Sequence, residues 1–254
     1  MEPVPTSQII EQFHLLFLAL LTRGTDKRSL VVKGGCNLRF FHGSIRYSED
    51  MGLDVDGIEL HVLRDRVRAI LASRPFRQNL ESRGIAVEHV TEHKQTPTDQ
   101  RWELGLEYGG HRQPLPTKVE FSRRGLDEGV EFGSLDPGLA GAYRLTPFMV
   151  SHYGAAAALR QKVGALAHRA ETQARDIFDL HHLLATGAPR VALRGLDPDT
   201  LDEARARSAS INFAAFKSQV LSYLAAGDQP RFDSADVWET MVLEVLEALE
   251  GAAT

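Results

Sequence analysis

Val31-Val32-Lys33-Gly34-Gly35-Cys36-Asn37-Leu38-Arg39-Phe40-Phe41, followed at once by Arg46-Tyr47-Ser48-Glu49-Asp50-Met51-Gly52-Leu53-Asp54, is the stretch that decides the reading of this chain. Leu30 to Val32 has the pattern of a short buried strand. It is stopped by Gly34-Gly35, and Asn37 to Phe41 reads as a brief helix. A strand that ends in two glycines and opens a helix lets backbone N–H groups approach phosphate oxygens closely, and the helix N-terminus adds favourable partial positive charge. Taken alone, a Gly-Gly pair is more often a plain turn. Its significance rises because an acidic strand, Met51 to Val55, follows closely, and phosphoryl chemistry needs carboxylates that hold magnesium against substrate phosphates. Strand residues two apart share a face at about 7 Å, close enough for two carboxylates to share an ion. Asp50 has Gly52 at that position, and Asp54 lies about 13 Å from Asp50 by the same rise, too far to share one ion comfortably.

Outward from this stretch, Ser7 to Leu21 places Ile9, Ile10, Phe13, Leu16, Phe17 and Leu20 at helical spacing. Leu60 to Glu81 predicts a long helix that Pro75 should break or kink. Ile85 to Val90, Trp102 to Tyr108 and Lys118 to Phe121 read as strands. The first half is therefore α/β. From about Pro147 the pattern turns helical, with segments at Gly154 to His168, Ala174 to Ala185, Pro198 to Ser208, Phe213 to Ala225 and Ala235 to Glu250. Gly125 to Gly141, rich in Gly, Asp and Pro, reads as the connection, which places one domain at 1–141 and an all-α domain at 142–254.

Composition narrows the function classes. With 254 residues, 43% hydrophobic and 25% charged, the chain is long enough for a substantial core. A net charge of −5 argues against a protein that coats nucleic acid non-specifically. The local basic groups Arg64/Arg66/Arg68, Arg123/Arg124 and Arg205/Arg207 read first as solvated faces. The single cysteine, Cys36, cannot form an intramolecular disulfide, and the early apolar run Phe13 to Leu21 is too short to span a bilayer. A reducing, cytoplasmic setting without membrane association is expected.

Two further places could carry chemistry. Glu120, in Lys118-Val119-Glu120-Phe121-Ser122, is an acid on a strand, more often an exposed residue than a ligand when taken alone. Downstream, Leu159-Arg160-Gln161-Lys162 precedes Arg175-Asp176-Ile177-Phe178-Asp179-Leu180. There Ile177, Leu180 and Leu184 form an apolar stripe, and Arg175, Asp179 and His182 share another face, which in isolation reads as wet. Lys162 and Arg169 could instead form a cationic surface oriented by Asp176 and Asp179, as a triphosphate requires. His181 and His182 cannot face the same way on a helix, which argues against a paired metal site.

Together these segments, over Leu30 to Leu184, resemble the AbiEii-type nucleotidyltransferase toxins, the enzymatic halves of bacterial toxin–antitoxin and phage-defence pairs. Family members read lysine and two glycines, an Arg-Phe/Tyr-Ser-x-Asp-x-Asp strand, a later acidic strand, and a helical lysine followed by Arg-Asp-x-x-Asp-Leu. Here those are Lys33-Gly34-Gly35, Arg46-Tyr47-Ser48-Glu49-Asp50, Glu120, Lys162 and Arg175-Asp176-Ile177-Phe178-Asp179-Leu180. The resemblance implies a polymerase-β-like α/β core with a mixed sheet, then an all-α C-terminal domain. It also implies magnesium dependence, a cognate antitoxin, and transfer from a nucleoside triphosphate to an RNA acceptor, transfer RNA in better understood relatives. By position, Lys33, Gly34, Gly35, Arg46, Ser48 and Lys162 would bind nucleotide, Asp50 and Glu120 metal, and Asp50, Lys162 and Asp176 would be catalytic. Gly52 departs from the pattern, standing where the second metal-binding Asp is usual, and implies a weakened or inactive enzyme. A nucleotide- or RNA-binding protein without catalysis is the alternative. Another is an interaction module whose helix stripe Val237, Met241, Leu243, Leu246 and Leu249 meets an antitoxin.

Overall fold

Strict alternation along the central strands sets the architecture. In β2 (Asp50–Val55), Met51, Leu53 and Val55 are buried, and in β5 (Leu115–Ser122), Thr117, Val119 and Phe121 are buried. Asp50, Gly52 and Asp54 pair with Lys118, Glu120 and Ser122 on the opposite face. The computed structural model describes residues 4–109 and 112–252. In chain order the remaining elements of the first part are α1 (Thr6–Leu21), β1 (Leu30–Lys33), α2 (Gly34–Phe41), α3 (Leu60–Ala72), α4 (Arg74–Glu81), β3 (Ile85–Gln95), β4 (Asp99–Tyr108), β6 (Val130–Ser134), α5 (Pro137–Ala142) and β7 (Met149–Tyr153). Helices follow: α6 (Ala155–His168), α7 (Ala174–Ala185), α8 (Pro198–Ser210), α9 (Phe213–Gln219), α10 (Gln229–Phe232) and α11 (Ala235–Glu250).

The strands form one sheet in the order β3-β4-β5-β2-β1-β7-β6. It is mixed, with β1–β2, β3–β4 and β4–β5 antiparallel and β1–β7 and β2–β5 parallel. The expected α/β class with a mixed sheet and helical C-terminal region is what the chain adopts. By compactness it divides into one unit of Met1–Cys36 with Tyr47–His152, and a second of Asn37–Arg46 with Tyr153–Thr254.

Several expectations are corrected in detail. The helix after β1 starts at Gly34 rather than Asn37, because Gly34 itself takes φ +68° and makes the strand-to-helix turn. The expected Leu60 to Glu81 helix is two helices, and Pro75 sits in the first turn of α4, where its missing N–H leaves no bond unmade. Gly125 to Gly141 is not merely a connection. It contributes β6, and its buried Leu135 and Ala140 anchor α5, which Asp136 caps by accepting from the Leu139 N–H at 2.7 Å.

In the first unit α1 covers the apolar sheet face. Phe13, Phe17 and Phe76 make a ring cluster with centroids 5.9–6.3 Å apart. One imidazole is sealed inside this core. His14 Nε2 lies 2.8 Å from Thr117 Oγ1, which donates its own proton to the Glu49 carbonyl at 2.6 Å. The hydroxyl can therefore only accept from His14, which fixes the neutral Nε2–H tautomer. Cys36 Sγ is 3.8 Å from Nδ1 and 3.4 Å from the Asp50 carbonyl, so this polar thread ties α1 to the start of β2.

The second unit is a helical core. Leu159, Val163 and Leu166 of α6 share it with Ile177 and Leu180 of α7, Leu201 of α8 and Trp238, Met241 and Val245 of α11. The α11 stripe is rotated from the expected one. Trp238, Met241, Val245, Ala248 and Leu249 are buried, while Leu243 is 59% exposed. Trp238 sets the facing by donating its indole N–H to the Ile211 carbonyl at 3.2 Å. Among the described residues, no helix is long and apolar enough to cross a membrane.

Burial lowers the His14 pKa from 6.5 to about 3. The unfolded chain takes up this proton below about 6.5 and the folded chain refuses it until about 3, so His14 makes stability fall as pH drops through that window, by about 1.4 kcal/mol per pH unit. Urea unfolding of the native protein and of His14→Gln at pH 7 and pH 5 checks this. The variant should lose a clear part of the acid sensitivity, and equal slopes would contradict the assignment.

Candidate active site

Two clusters of charged side chains, one inside each unit, carry the sequence-derived candidates. In the first unit, the registers of β1, β2, β5 and β4 place Lys33, Gly52, Glu120 and Arg101 side by side across the polar sheet face. Lys33 ends β1 and leads directly into the left-handed Gly34 and the first turn of α2. A Cβ at Gly52 would meet Lys33 Cγ at 3.4 Å and Cε at 3.8 Å, so the lysine stem lies across the position that lacks a side chain. Beyond it the ammonium donates to Asp54 Oδ1 at 2.5 Å, and Asp54 is buried.

Asp50 and Glu120 also face cations. Lys118 Nζ donates to Asp50 Oδ2 at 3.4 Å, and Arg101 Nε lies 2.6 Å from Glu120 Oε1. Among the described residues no three Asp, Glu, His or Cys side chains gather as a metal-holding group. The donor set present, one half-exposed aspartate with Gly52 beside it and Glu120 turned to Arg101, does not fit a resident divalent ion. Ser48 donates to the Asp50 carbonyl at 2.8 Å, a local bond that shapes the entry to β2.

The second unit holds a buried ion network. Arg46 makes a two-pronged pair with Asp179, Nε to Oδ1 at 2.9 Å and Nη2 to Oδ2 at 2.8 Å. Lys162 of α6 lies 2.6 Å from Asp179 Oδ2 and 3.2 Å from Asp176 Oδ1. Arg169 Nε approaches Asp176 Oδ2 to 2.8 Å, an ion pair whose angle makes no hydrogen bond. Asp176 and Asp179 are fully buried and Lys162 nearly so. The α7 face carrying Asp179 is therefore not wet, contrary to its reading in isolation. The wider expectation, in which both aspartates orient the lysine, matches the distances. Burial alone would raise the Asp179 carboxyl, but the Arg46 guanidinium and the Lys162 ammonium hold it well below the usual carboxylate range.

The order of these elements along the chain is also the order in which a known family carries its motifs, and the model for the nucleotidyl transferase AbiEii toxins of type IV toxin–antitoxin systems matches residues 16–251. The chain belongs to this family. It is thus a member of the AbiEii nucleotidyltransferase toxins, with the α/β fold those proteins share. JHP933 from Helicobacter pylori superposes with a TM-score of 0.59 at 17% identity, over 98% of this chain and 93% of that one. MenT4, a nucleotidyltransferase toxin from Mycobacterium tuberculosis H37Rv, does so with a TM-score of 0.59 at 18% identity, over 99% of this chain and 100% of that one. No curated protein sequence matches the chain.

Sequence reasoning singled out Lys33, Asp50, Gly52 and Glu120 on or beside separate strands, and Lys162 with Asp176 and Asp179; the pairing of those strands comes from the structure. It missed the partners Lys118, Arg101 and Asp54. The period-two spacing of Lys118 and Glu120 was the available signal for the first of these, since it puts both on the face that Asp50 occupies.

Removing one member of the buried network leaves a partner charge uncompensated, which costs about 3–5 kcal/mol. Asp179→Asn, with Arg46 and Lys162 left facing a neutral amide, should lower the denaturation midpoint accordingly at pH 7. Asp179 ionisation stabilises the fold above the normal carboxylate pKa of 3.8, and that contribution is lost as pH falls below it. The gap between variant and native protein should therefore narrow in acid, and a gap that widens would contradict the pairing.

Proposed function

We propose that this chain moves a nucleotide from a nucleoside triphosphate onto a hydroxyl of an RNA acceptor, transfer RNA, in the cytoplasm, under the control of a cognate antitoxin. The observation that carries the reading is Lys33: a cation fixed by Asp54 at the end of β1, immediately before the left-handed Gly34 that opens α2. A fixed ammonium and the N–H groups of a helix start are each chemistry suited to phosphate oxygens. Gly34 and Gly35 bring the backbone close to phosphate. Lys162 is the further cation that the family motif assigns to nucleotide binding, and Asp176 and Asp179 hold it within the helical unit. Asp176 acts through Lys162 by fixing the ammonium. Arg46 supports the same network through Asp179, and Ser48 sets the entry to the strand that presents Asp50.

The reaction is attack of an acceptor hydroxyl on the α-phosphate, with the bond to the bridging oxygen breaking and pyrophosphate leaving. The acceptor proton passes to solvent or to a carboxylate, for which Asp50 is the exposed candidate on this face. Magnesium enters as part of the magnesium–triphosphate substrate. Glu120 reaches toward that substrate only by releasing Arg101. With glycine at position 52 one carboxylate is lacking, and turnover is slow for that reason.

The test incubates native, Gly52→Asp and Lys162→Met proteins with each α-labelled nucleoside triphosphate, magnesium and total bacterial RNA. Weak labelling of a transfer-RNA-sized band by native protein is expected, with a gain of at least about tenfold, near 1.4 kcal/mol of barrier, in Gly52→Asp and none in Lys162→Met. A folded Gly52→Asp protein that binds triphosphate and labels nothing would overturn transfer. It would favour a second reading, triphosphate binding without catalysis, to which glycine at position 52 already points.

A further inference from the structure

In the first unit, both carboxylates expected to hold metal are matched by a protein cation, Asp50 by Lys118 and Glu120 by Arg101, and the nearby buried Asp54 is matched by Lys33. Each of these carboxylates is thereby held by a cation, whereas a site for a divalent ion needs surplus carboxylate oxygens turned to one point. At position 52, where a carboxylate would complete such a site, the space is crossed by the Lys33 stem. We infer that Lys33 is the fixed counter-cation of the triphosphate seat, and that the chain needs no divalent ion to hold a nucleoside triphosphate. This rests on the triphosphate seat proposed above.

Three features support it. The Lys33 side chain is 32% exposed while its partner Asp54 is 6% exposed, so the buried carboxylate secures the ammonium from one side and water meets the other. An ammonium has three donors, and the bond to Asp54 uses one of them. The lysine backbone runs directly into the left-handed Gly34, so the residue that carries the ammonium also leads into the first turn of α2. Asp54 is a positioning residue in this arrangement: it touches no ligand and sets where the charge stands. An aspartate at position 52 would lie against the lysine stem and compete with Asp54 for the ammonium. It would also add the surplus carboxylate that makes a divalent ion useful again.

The test is calorimetric titration of the native full-length protein with ATP, GTP, CTP and UTP in turn, once in excess EDTA and once in magnesium. For whichever triphosphate binds, Kd in EDTA should lie within about threefold of Kd in magnesium, less than one tenfold step of affinity. Gly52→Asp should become magnesium-dependent by at least about tenfold, or about 1.4 kcal/mol. Asp54→Asn should weaken binding equally in both conditions, which a loss of folding alone, followed in parallel by circular dichroism, would not explain. The double variant Lys33→Met/Asp54→Leu, which buries no orphan charge, should lose binding in EDTA while remaining folded. Binding by native protein only when magnesium is present would overturn this inference and leave the proposed function standing. No binding in either condition would overturn both.

Discussion

Asp54, Asp176 and Asp179 are carboxylates withdrawn from water, and a buried carboxylate must be met by cations and hydrogen bonds or be paid for in stability. The chain satisfies this constraint with side chains drawn from separate elements. Asp54 of β2 takes Lys33 of β1 across an antiparallel register, while Asp179 of α7 takes Arg46 from before β2 and Lys162 from α6. Each pairing fixes two elements at once. The Asp179 pairing ties residues 37–46 into the helical unit although they are separated from it in sequence by most of the sheet.

The proposed phosphate chemistry rests on the same constraint. An ammonium clamped by a buried carboxylate cannot follow a ligand by swinging freely, so its charge is pre-organised where phosphate oxygens would be received. The two units use one device: Lys33 is secured by Asp54, and Lys162 by Asp176 and Asp179. On the sheet face Asp50, Asp54 and Glu120 each meet a cation, and this pairing, with glycine at position 52, separates the chain from the metal-centred pattern that its motifs resemble.

Much of this was legible in the chain alone, because the informative signals are local. Gly34-Gly35 after a short apolar run marks β1 and α2, period-two alternation marks β2 and β5, and apolar stripes mark α6 and α7. Pairings across strands were not legible. Asp54 looked too distant from Asp50 to matter, and only the β1–β2 register brings it to Lys33 through the gap at Gly52. Burial of Asp176 and Asp179 was likewise hidden, since a helical face bearing Asp and Arg reads as solvated until its cationic partners on other elements are known. The Gly- and Pro-rich segment concealed β6 and α5 because turn composition outweighed the few apolar residues, Leu135 and Ala140, that anchor it. On α11 the spacing did not reveal which of two overlapping stripes Trp238 would select.

The proposal that the Lys33 ammonium, held by buried Asp54, receives the triphosphate is tested most directly by NMR of the side-chain amino groups in protein carrying nitrogen-15 lysine. The Nζ signals of Lys33 and Lys162 would be assigned by Lys→Arg substitution and followed during addition of the binding triphosphate in EDTA. The account requires slow-exchanging ammonium signals for both residues in the free protein, as their ion pairs dictate, and a shift of the Lys33 signal that saturates with the binding curve. Saturating triphosphate that leaves the Lys33 signal unmoved would contradict it.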